Sequence, residues 1–594
     1  MKRRVGILPC IHGMSQISKA FLDGVLPAFH LVLLVCTDAE SARRQYQQQV
    51  MPLLFQETGT PATEVALWKY ALKEAQTKVD LHTCDELVFM TEEWIGPLKP
   101  IEALFAKTDA DGCDLWSLLS PEMSQCSGDF WAIRPALMQS QIFMEYWNLQ
   151  NTADTAAQFF RTLSAKAVQN GFCVHAVVDT SVYGGVDAQQ PPVEVQLPGT
   201  LLAHTQMPFL AKSLFSLPYA EMLCYGAGEE MDIALHIAKE NNCYAMQPFY
   251  QDLLRHNNIY DLKSRLNLSY AFNQKDVSTA PITAKTALFI FLHYEELFAQ
   301  NLSYLRNIPP EIDVYVITDA QEKQQILLSA ITEFEPRNKK IQVLCKESRG
   351  RDLSALLVVA APIIRQYDVF GFVHDKKTSE AGAYAVGNAF QHTLMHNMLA
   401  SCGYIRKIVQ ALTQNASLGL LAPPPPIHAR YFAAMGNGWT QCFAKTVELA
   451  QKLQLKCDLD ETKAPYILGT AFWAKTQALQ PLFSANFSYE DFPQEPLAGD
   501  GTLNHAIERI FPYVAQSEGY LAGWVSTEEY LTRDDTNKTF ALEYLVAQGK
   551  KQGSTAIETL SGFPAAVHAI GVKDAIRVLK TSVQRAWQCR FCEK

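Results

Sequence analysis

One short series of segments occurs twice along this chain, in the same order. Leu31 to Val35 runs into Cys36-Thr37-Asp38, and Val314 to Ile317 runs into Thr318-Asp319. Leu87 to Met90 precedes Thr91-Glu92-Glu93, and Val369 to Val373 precedes His374-Asp375-Lys376-Lys377. Gly128-Asp129-Phe130-Trp131-Ala132-Ile133-Arg134 then matches Gly469-Thr470-Ala471-Phe472-Trp473-Ala474-Lys475 in its glycine, aromatic pair and following base. Each apolar run has strand length and ends in polar residues. Stretches of helical period, such as Ala66 to Thr77 and Glu322 to Thr332, lie between them. This β-α-β rhythm predicts α/β units with mostly parallel, Rossmann-type sheets covered by helices. Ligands of such sheets bind outside the carboxyl ends of the strands, where Glu92, Glu93 and His374 to Lys377 fall.

At 594 residues the chain exceeds what one core usually organises. The expected division is 1–253 for the first unit, 254–283 for a linker marked by polar punctuation, 284–516 for the second unit, and 517–594 for a helical tail. Glu528 to Ala547 and Val572 to Trp587 are the candidate tail helices. A formal net charge of −10 argues against a general nucleic-acid binder, because that affinity rests on clustered Lys and Arg. No secretory apolar region follows Met1-Lys2-Arg3-Arg4, and the run Leu31 to Val35 is far too short to span a bilayer, so a cytoplasmic protein is expected. The 14 cysteines are irregularly spaced, which fits reduced thiols. The pair Cys589 and Cys592 lacks the second ligand pair of a structural zinc site.

Three segments of the second pass carry chemistry. Arg349-Gly350-Arg351-Asp352 offers two guanidinium forks around a glycine that lets a ligand approach the backbone, which suits a diphosphate; an internal ion pair is the competing reading. His374-Asp375-Lys376-Lys377 places an imidazole, a carboxylate and two ammonium groups within four residues. Alternation along extended backbone aims His374 and Lys376 to one side, Asp375 and Lys377 to the other. A departing diphosphate needs either a divalent ion on a carboxylate or direct Lys and Arg contacts, and this tetrapeptide offers both. In the segment from Phe492 to Phe511, Asp500 and Thr502 provide N-cap chemistry for a helix bearing Leu503, Ile507 and Ile510 on one face. Asp500, or Glu495 before it, is positioned to act as general base, with capping the alternative for Asp500 and a surface pair the alternative for Glu508 and Arg509. The pairs Phe130-Trp131 and Phe472-Trp473 offer flat surfaces to a sugar ring or simply fill cores. Pro423 to Pro426 predicts a stiff extended exit from a strand.

In order and content these segments resemble the rhamnan synthesis protein F family of bacterial polysaccharide assembly. That family's second half looks like N-R-G-R-D, H-x-K-K-S, P-P, G-x-x-F-W-A, then E-P and D-G-T-x-x-H-A-x-E-R. The counterparts here are Ser348 to Asp352, His374 to Thr378, Pro423-Pro424, Gly469 to Ala474, Glu495-Pro496 and Asp500 to Arg509, with Ser348 and Thr378 as small polar departures. The first half departs further: Thr91-Glu92-Glu93-Trp94-Ile95-Gly96-Pro97 stands where the family has N-D-S-x-x-G-P, and Asp114-Leu115-Trp116 where it has D-F-W.

The resemblance implies a GT-A-like glycosyltransferase fold, occurring twice, with the second unit catalytic and the first acceptor-binding or degenerate. It also implies L-rhamnose as the transferred sugar, from a dTDP-rhamnose donor, with inversion. Asp500 is then the first choice of base and Glu495 the second. Arg349, Gly350, Arg351, Asp352, His374, Lys376, Lys377, Trp473 and His505 would bind the nucleotide sugar, with Asp375 as ligand to a divalent metal, Mg or Mn. A lipid-linked glycan acceptor implies peripheral contact with the inner face of the membrane. Arg577, Lys580, Arg585 and Arg590 around Val578, Leu579, Val583 and Trp587 offer a basic amphipathic helix for that contact, or one packed on its own domain. A transferase for another nucleotide sugar and a non-catalytic assembly scaffold are the competing readings.

Overall fold

The computed structural model describes residues 2–10, 15–46, 49–55, 63–75, 83–120, 128–148, 155–183, 191–225, 228–275, 280–334, 337–338, 340–377, 384–428 and 438–551. Thr378, the Cys589 and Cys592 pair and the basic segment 572–590 lie outside these residues. The chain divides into two compact units, Met1–Phe249 with the residues from Leu542 onward, and Tyr250–Ala541.

In the first unit the strands are β1 (Arg4–Cys10), β2 (Leu31–Cys36), β3 (Val50–Leu54), β4 (Glu86–Met90), β5 (Trp94–Ile95), β6 (Leu115–Leu119), β7 (Phe130–Ile133), β8 (Val174–Val178) and β9 (Leu210–Ala211). Seven of them form one sheet in the order β3-β2-β1-β4-β7-β6-β8, and β5 pairs with β9 separately. Within the large sheet β7 alone runs antiparallel to its neighbours β4 and β6. β1 and β4 are buried along their whole length, as unbroken apolar runs in parallel sheets are.

The second unit repeats this plan with β10 (Ser269–Phe272), β11 (Thr286–Phe291), β12 (Asp313–Thr318), β13 (Ile341–Cys345), β14 (Val369–His374), β15 (Leu418–Ala422), β16 (Phe472–Lys475) and β17 (Leu521–Thr527). Its sheet order is β10-β17-β15-β16-β14-β11-β12-β13. Read from the β13 edge, each strand has its counterpart in the first sheet, including the antiparallel β16 in the place of β7. β10 is the addition. It pairs in parallel with β17, so the stretch 254–283 is not a bare connection but carries an edge strand, and the stretch after 517 begins with a buried strand before the helix Glu528–Lys551. Leu521 to Thr527 enters the sheet because six of its seven residues are buried there.

Both tryptophans of the repeated aromatic pairs are core. Trp131 stacks on Phe89 with ring centres 4.0 Å apart. Trp473 has no exposed surface, donates its indole N–H to the carbonyl of Met398 at 3.1 Å, and lies over Gly371, where a Cβ would come within 2.8 Å of the ring. Trp473 therefore cannot offer a face to a sugar. Its strand is interior, flanked by β14 and β15, and the successive residues Phe472, Trp473 and Ala474, which point to alternate faces, are all buried.

Candidate active site

In both sheets the chain order reverses beside the first strand: β11 is followed by β12 and β13 on one side, then by β14 on the other. Such a reversal opens a crevice at the carboxyl ends of the two strands. In the second unit that crevice is a polar cavity of about 490 Å³, lined by strand-end residues of β11, β12, β13 and β14 and by the loop 495–499 with His505.

Asp375 sits at its floor, 4% exposed. Its Oδ2 accepts the backbone N–H groups of His293 at 2.9 Å and Tyr294 at 2.8 Å, tying the end of β14 to the end of β11. Its Oδ1 is buried and has no hydrogen-bond partner among the described residues. Burial pushes this carboxyl up to about 6, against the pull of the two N–H groups and of His374 and His293. A buried acceptor without a donor costs free energy until something pairs with it.

His374, Asp375, Lys376 and Lys377 all line this one cavity. The alternation expected from an extended strand does not apply, because β14 ends at His374 and Asp375 to Lys377 lie beyond it. His374 is buried, with Nδ1 2.8 Å from the Asp375 carbonyl and Nε2 3.9 Å from Asp352 Oδ2. Asp352 is held below the ordinary carboxylate range: burial opposes its charge, and His374, Thr470 and Lys376 outweigh that. Lys376 holds its ammonium 5.0 Å from the Phe390 ring centre, and Lys377 pairs with Glu296.

The arginine loop is shaped by two successive left-handed residues, Gly350 at φ 76° and Arg351 at φ 50°. Glycine is needed at 350, since a Cβ there would meet Phe492 Cγ at 2.7 Å and Ser354 Cβ at 2.8 Å. The two arginines do different work. Arg349 spends Nε and Nη2 on the Phe492 carbonyl, at 2.8 and 2.6 Å, so it braces the loop before Glu495. Arg351 reaches Glu495 with Nε at 3.4 Å from Oε1 and Nη2 at 3.4 Å from Oε2.

The helix Leu503–Ser517 begins at Thr502, so Asp500 stands two residues ahead of the cap. Its carboxylate turns to another loop: it accepts the Thr440 hydroxyl, the Gln441 N–H at 3.0 Å and the Cys442 thiol at 2.9 Å, with Arg509 Nη2 at 3.6 Å. Burial opposes its charge, yet these donors hold the Asp500 carboxyl well below the usual range. Asp500 does not line the cavity, whereas Glu495 and His505 do. A carboxylate so fully paired is a poor proton acceptor, which removes the ground for choosing Asp500 as base. Glu508 and Arg509 do approach, with Nη1 4.0 Å from Oε2, but as a largely buried pair rather than a surface one. Arg509 is 8% exposed and binds the Gly438 carbonyl at 2.7 Å, while Glu508 Oε1 accepts the Gly469 N–H at 2.7 Å.

Of the acidic and basic lining residues, three are not among the site candidates drawn from the motifs: His293, Asp319, which figured only as a strand end, and Lys346. His293 Nδ1 lies 2.6 Å from Asp319 Oδ2, and Lys323 donates to Asp319 Oδ1 at 2.9 Å. Burial opposes the Asp319 charge, but these two partners bring its carboxyl down to about 2. Each missed residue immediately follows, or stands two positions beyond, an apolar strand. That is the rule that flagged His374.

The matching strand end of the first unit is acidic and engaged. Ser18 donates to Glu92, and Glu93 accepts the Ser213 N–H at 2.7 Å. Asp129 is pushed well above the carboxylate range by burial and by the Glu93 charge, and accepts the Thr91 hydroxyl at 2.9 Å.

The family model for rhamnan synthesis protein F matches residues 41–520, covering the first pass from β3 onward, the second pass and every lining residue of the cavity. The chain belongs to the rhamnan synthesis protein F family. Among curated proteins it is 24% identical over 246 residues to the uncharacterized protein WxcX of Xanthomonas campestris pv. campestris strain B100, an alignment covering 41% of this chain and 33% of WxcX. The chain thus spans about a third of the length of the curated relatives it matches. Among solved structures it is similar to the glycosyltransferase GlyE of Streptococcus pneumoniae TIGR4, at 12% identity and a TM-score of 0.21, covering 64% of this chain and 87% of GlyE. It is also similar to the mannosyltransferase PcManGT of Pyrobaculum calidifontis in complex with GDP-Man and Mn2+, at 15% identity and a TM-score of 0.24, covering 61% and 92%. Likeness at this level says nothing of donor or acceptor.

Proposed function

We propose that the second unit of this rhamnan synthesis protein F member transfers a deoxyhexose, L-rhamnose from dTDP-rhamnose, with inversion, to a growing lipid-linked polysaccharide. One observation carries the reading: a buried, unpartnered carboxylate oxygen, Asp375 Oδ1, shares a cavity with the cations Lys346, Arg351, Lys376 and Lys377. A nucleotide sugar brings what both need, a diphosphate for the cations and hydroxyl donors for the oxygen. Family membership favours the sugar and the polymer; the geometry supports the class of donor.

In a single displacement the acceptor hydroxyl oxygen forms the bond to the anomeric carbon as the bond from that carbon to the diphosphate oxygen breaks, leaving its electron pair on the nucleotide. Glu495 takes the acceptor proton. It lines the cavity, is 33% exposed, and is held by Arg351 and by the Leu497 N–H at 3.1 Å. Arg351 both holds this base and lines the cavity that would take the leaving group. A divalent ion, Mg or Mn, fits only as a partly substrate-held ligand: among the described residues no three His, Cys, Asp or Glu converge on one point, and Asp375 Oδ1 is the free donor. If bound, it would lend positive charge to the diphosphate. The first unit, whose strand end is acidic, serves as acceptor-binding or degenerate partner. Among the described residues no helix is long and apolar enough to cross a membrane, and we place the protein at the inner membrane face, where lipid-linked acceptors are built.

The test is a thermal-shift panel of dTDP-, UDP- and GDP-sugars with and without Mn, followed by turnover with dTDP-rhamnose. Glu495→Gln should keep the ligand-induced shift and lose on the order of a hundredfold or more in kcat. A protein that neither binds nor turns over any of these sugars overturns the proposal.

A further inference from the structure

Five cations line the cavity, and their pairing is unequal. Arg349 is spent on backbone carbonyls of the loop 490–492, Arg351 is shared with Glu495, and Lys377 is paired with Glu296. Lys376 also has no carboxylate within 4.0 Å of its ammonium among the described residues, but it is only partly buried, with that ammonium 5.0 Å from the Phe390 ring centre. Lys346 is the buried one. It is 5% exposed, directly follows β13, and is missing from every motif that drew attention to this region. Two of its three N–H groups go to neutral acceptors, the carbonyls of Glu347 at 2.6 Å and Arg349 at 3.0 Å, and no carboxylate lies within 4.0 Å of its ammonium among the described residues. Its ammonium is 5.4 Å from the centre of the Phe291 ring, which also lines the cavity. A buried ammonium without a counter-ion is costly, and a cavity that presents one is matched to an anion.

We propose that Lys346 is a diphosphate-binding residue of the nucleotide-sugar site, its remaining N–H reserved for a phosphoryl oxygen of the donor. This rests on the reading of the cavity as a nucleotide-sugar site and names the group that anchors the leaving group there. The same lysine sets the shape of the arginine loop through its two carbonyl contacts, so filling its third valence with phosphate couples donor binding to the loop that carries Arg351 and braces Glu495.

Burial pulls the Lys346 ammonium down to about 8, opposed by the charges of Asp319 on the β12 side, Asp352 on the helix that follows the loop, Glu495 on the facing loop and, most weakly, the neighbouring Cys345. Nucleoside diphosphate binding should therefore weaken as pH rises through this range, since only the protonated lysine attracts phosphate. Bound phosphate moves that titration upward.

The experiment is titration calorimetry of the full chain with dTDP, UDP and GDP at pH 7.0 and 9.5, for the unsubstituted protein, Lys346→Met and Lys346→Arg. With whichever diphosphate binds, Lys346→Met should weaken binding at least tenfold at pH 7.0. Lys346→Arg should stay within about threefold and lose the fall in affinity between the two pH values. The arginine variant keeps the question open to answer even where methionine disturbs folding. Binding by Lys346→Met within twofold of the unsubstituted protein, or the same pH dependence in Lys346→Arg, overturns the inference and leaves the nucleotide-sugar reading standing. Failure of the unsubstituted protein to bind any of the three overturns both.

Discussion

Asp500→Asn separates the two carboxylates that the sequence could not rank. The substitution keeps one carbonyl oxygen to accept from the Gln441 N–H but removes the charge that also holds Thr440, Cys442 and Arg509. Hydrogen bonds to a charged partner are worth about 1.5–3 kcal/mol each, against about 1 kcal/mol for neutral ones. With the Asp500 side chain 25% exposed and neutral bonds retained in part, the net cost should be about 2–3 kcal/mol. In a unit of this size that lowers the melting midpoint by roughly 4–12 °C. Calorimetry of the variant gives the stability, and initial rates at saturating donor and acceptor give kcat. The loop 438–442 should loosen while proton transfer continues, so kcat should fall by less than about tenfold, whereas loss of a general base costs about 10²–10⁴. An Asp500→Asn protein of unchanged stability and more than hundredfold lower kcat would refute the assignment of Asp500 to loop anchoring.

Glu86→Gln should destabilise the first unit by about 2–4 kcal/mol, because the buried carboxylate receives Arg4 at 2.8 Å, Arg134 at 3.0 Å and the Trp116 indole at 2.8 Å, and its loss leaves both guanidinium groups to Asp109 and backbone carbonyls; denaturant unfolding would measure it. Asp319 is depressed from 3.8 to about 2, so its contribution of about 2 kcal/mol is present above pH 4 and is lost as pH falls toward 2. Urea midpoints at pH 6 and pH 3 should differ less in Asp319→Asn than in the unsubstituted protein. Gly350→Ala should cost about 2–3 kcal/mol, combining a left-handed backbone with overlap on Phe492, and should weaken nucleotide binding through the displaced Arg351, both readable in one thermal-shift series with and without dTDP.

Much of the architecture was legible along the chain. Parallel strands buried on both faces must be unbroken apolar runs, and polar residues at their carboxyl ends mark where a crevice opens, so the two passes and the neighbourhood of His374 to Lys377 could be read directly. Membership of the second sheet was less visible at its edge. Ser269 to Phe272 is half exposed and mixed in character, and only pairing with β17 makes it a strand.

What the sequence by itself determined is the order of strands and the kinds of groups delivered to their ends, since both follow from local pattern and backbone period. What only the tertiary structure decided is which partner each group finds. Trp473 is claimed by the core beneath Gly371, Asp500 by the loop 440–442, and Arg349 by two carbonyls near residue 492, while Asp375 and Lys346 are left with an unspent acceptor and donor facing the same cavity. These pairings join residues tens to more than a hundred positions apart. Side-chain chemistry says what a group can bind, but the folded neighbourhood alone says what remains unbound.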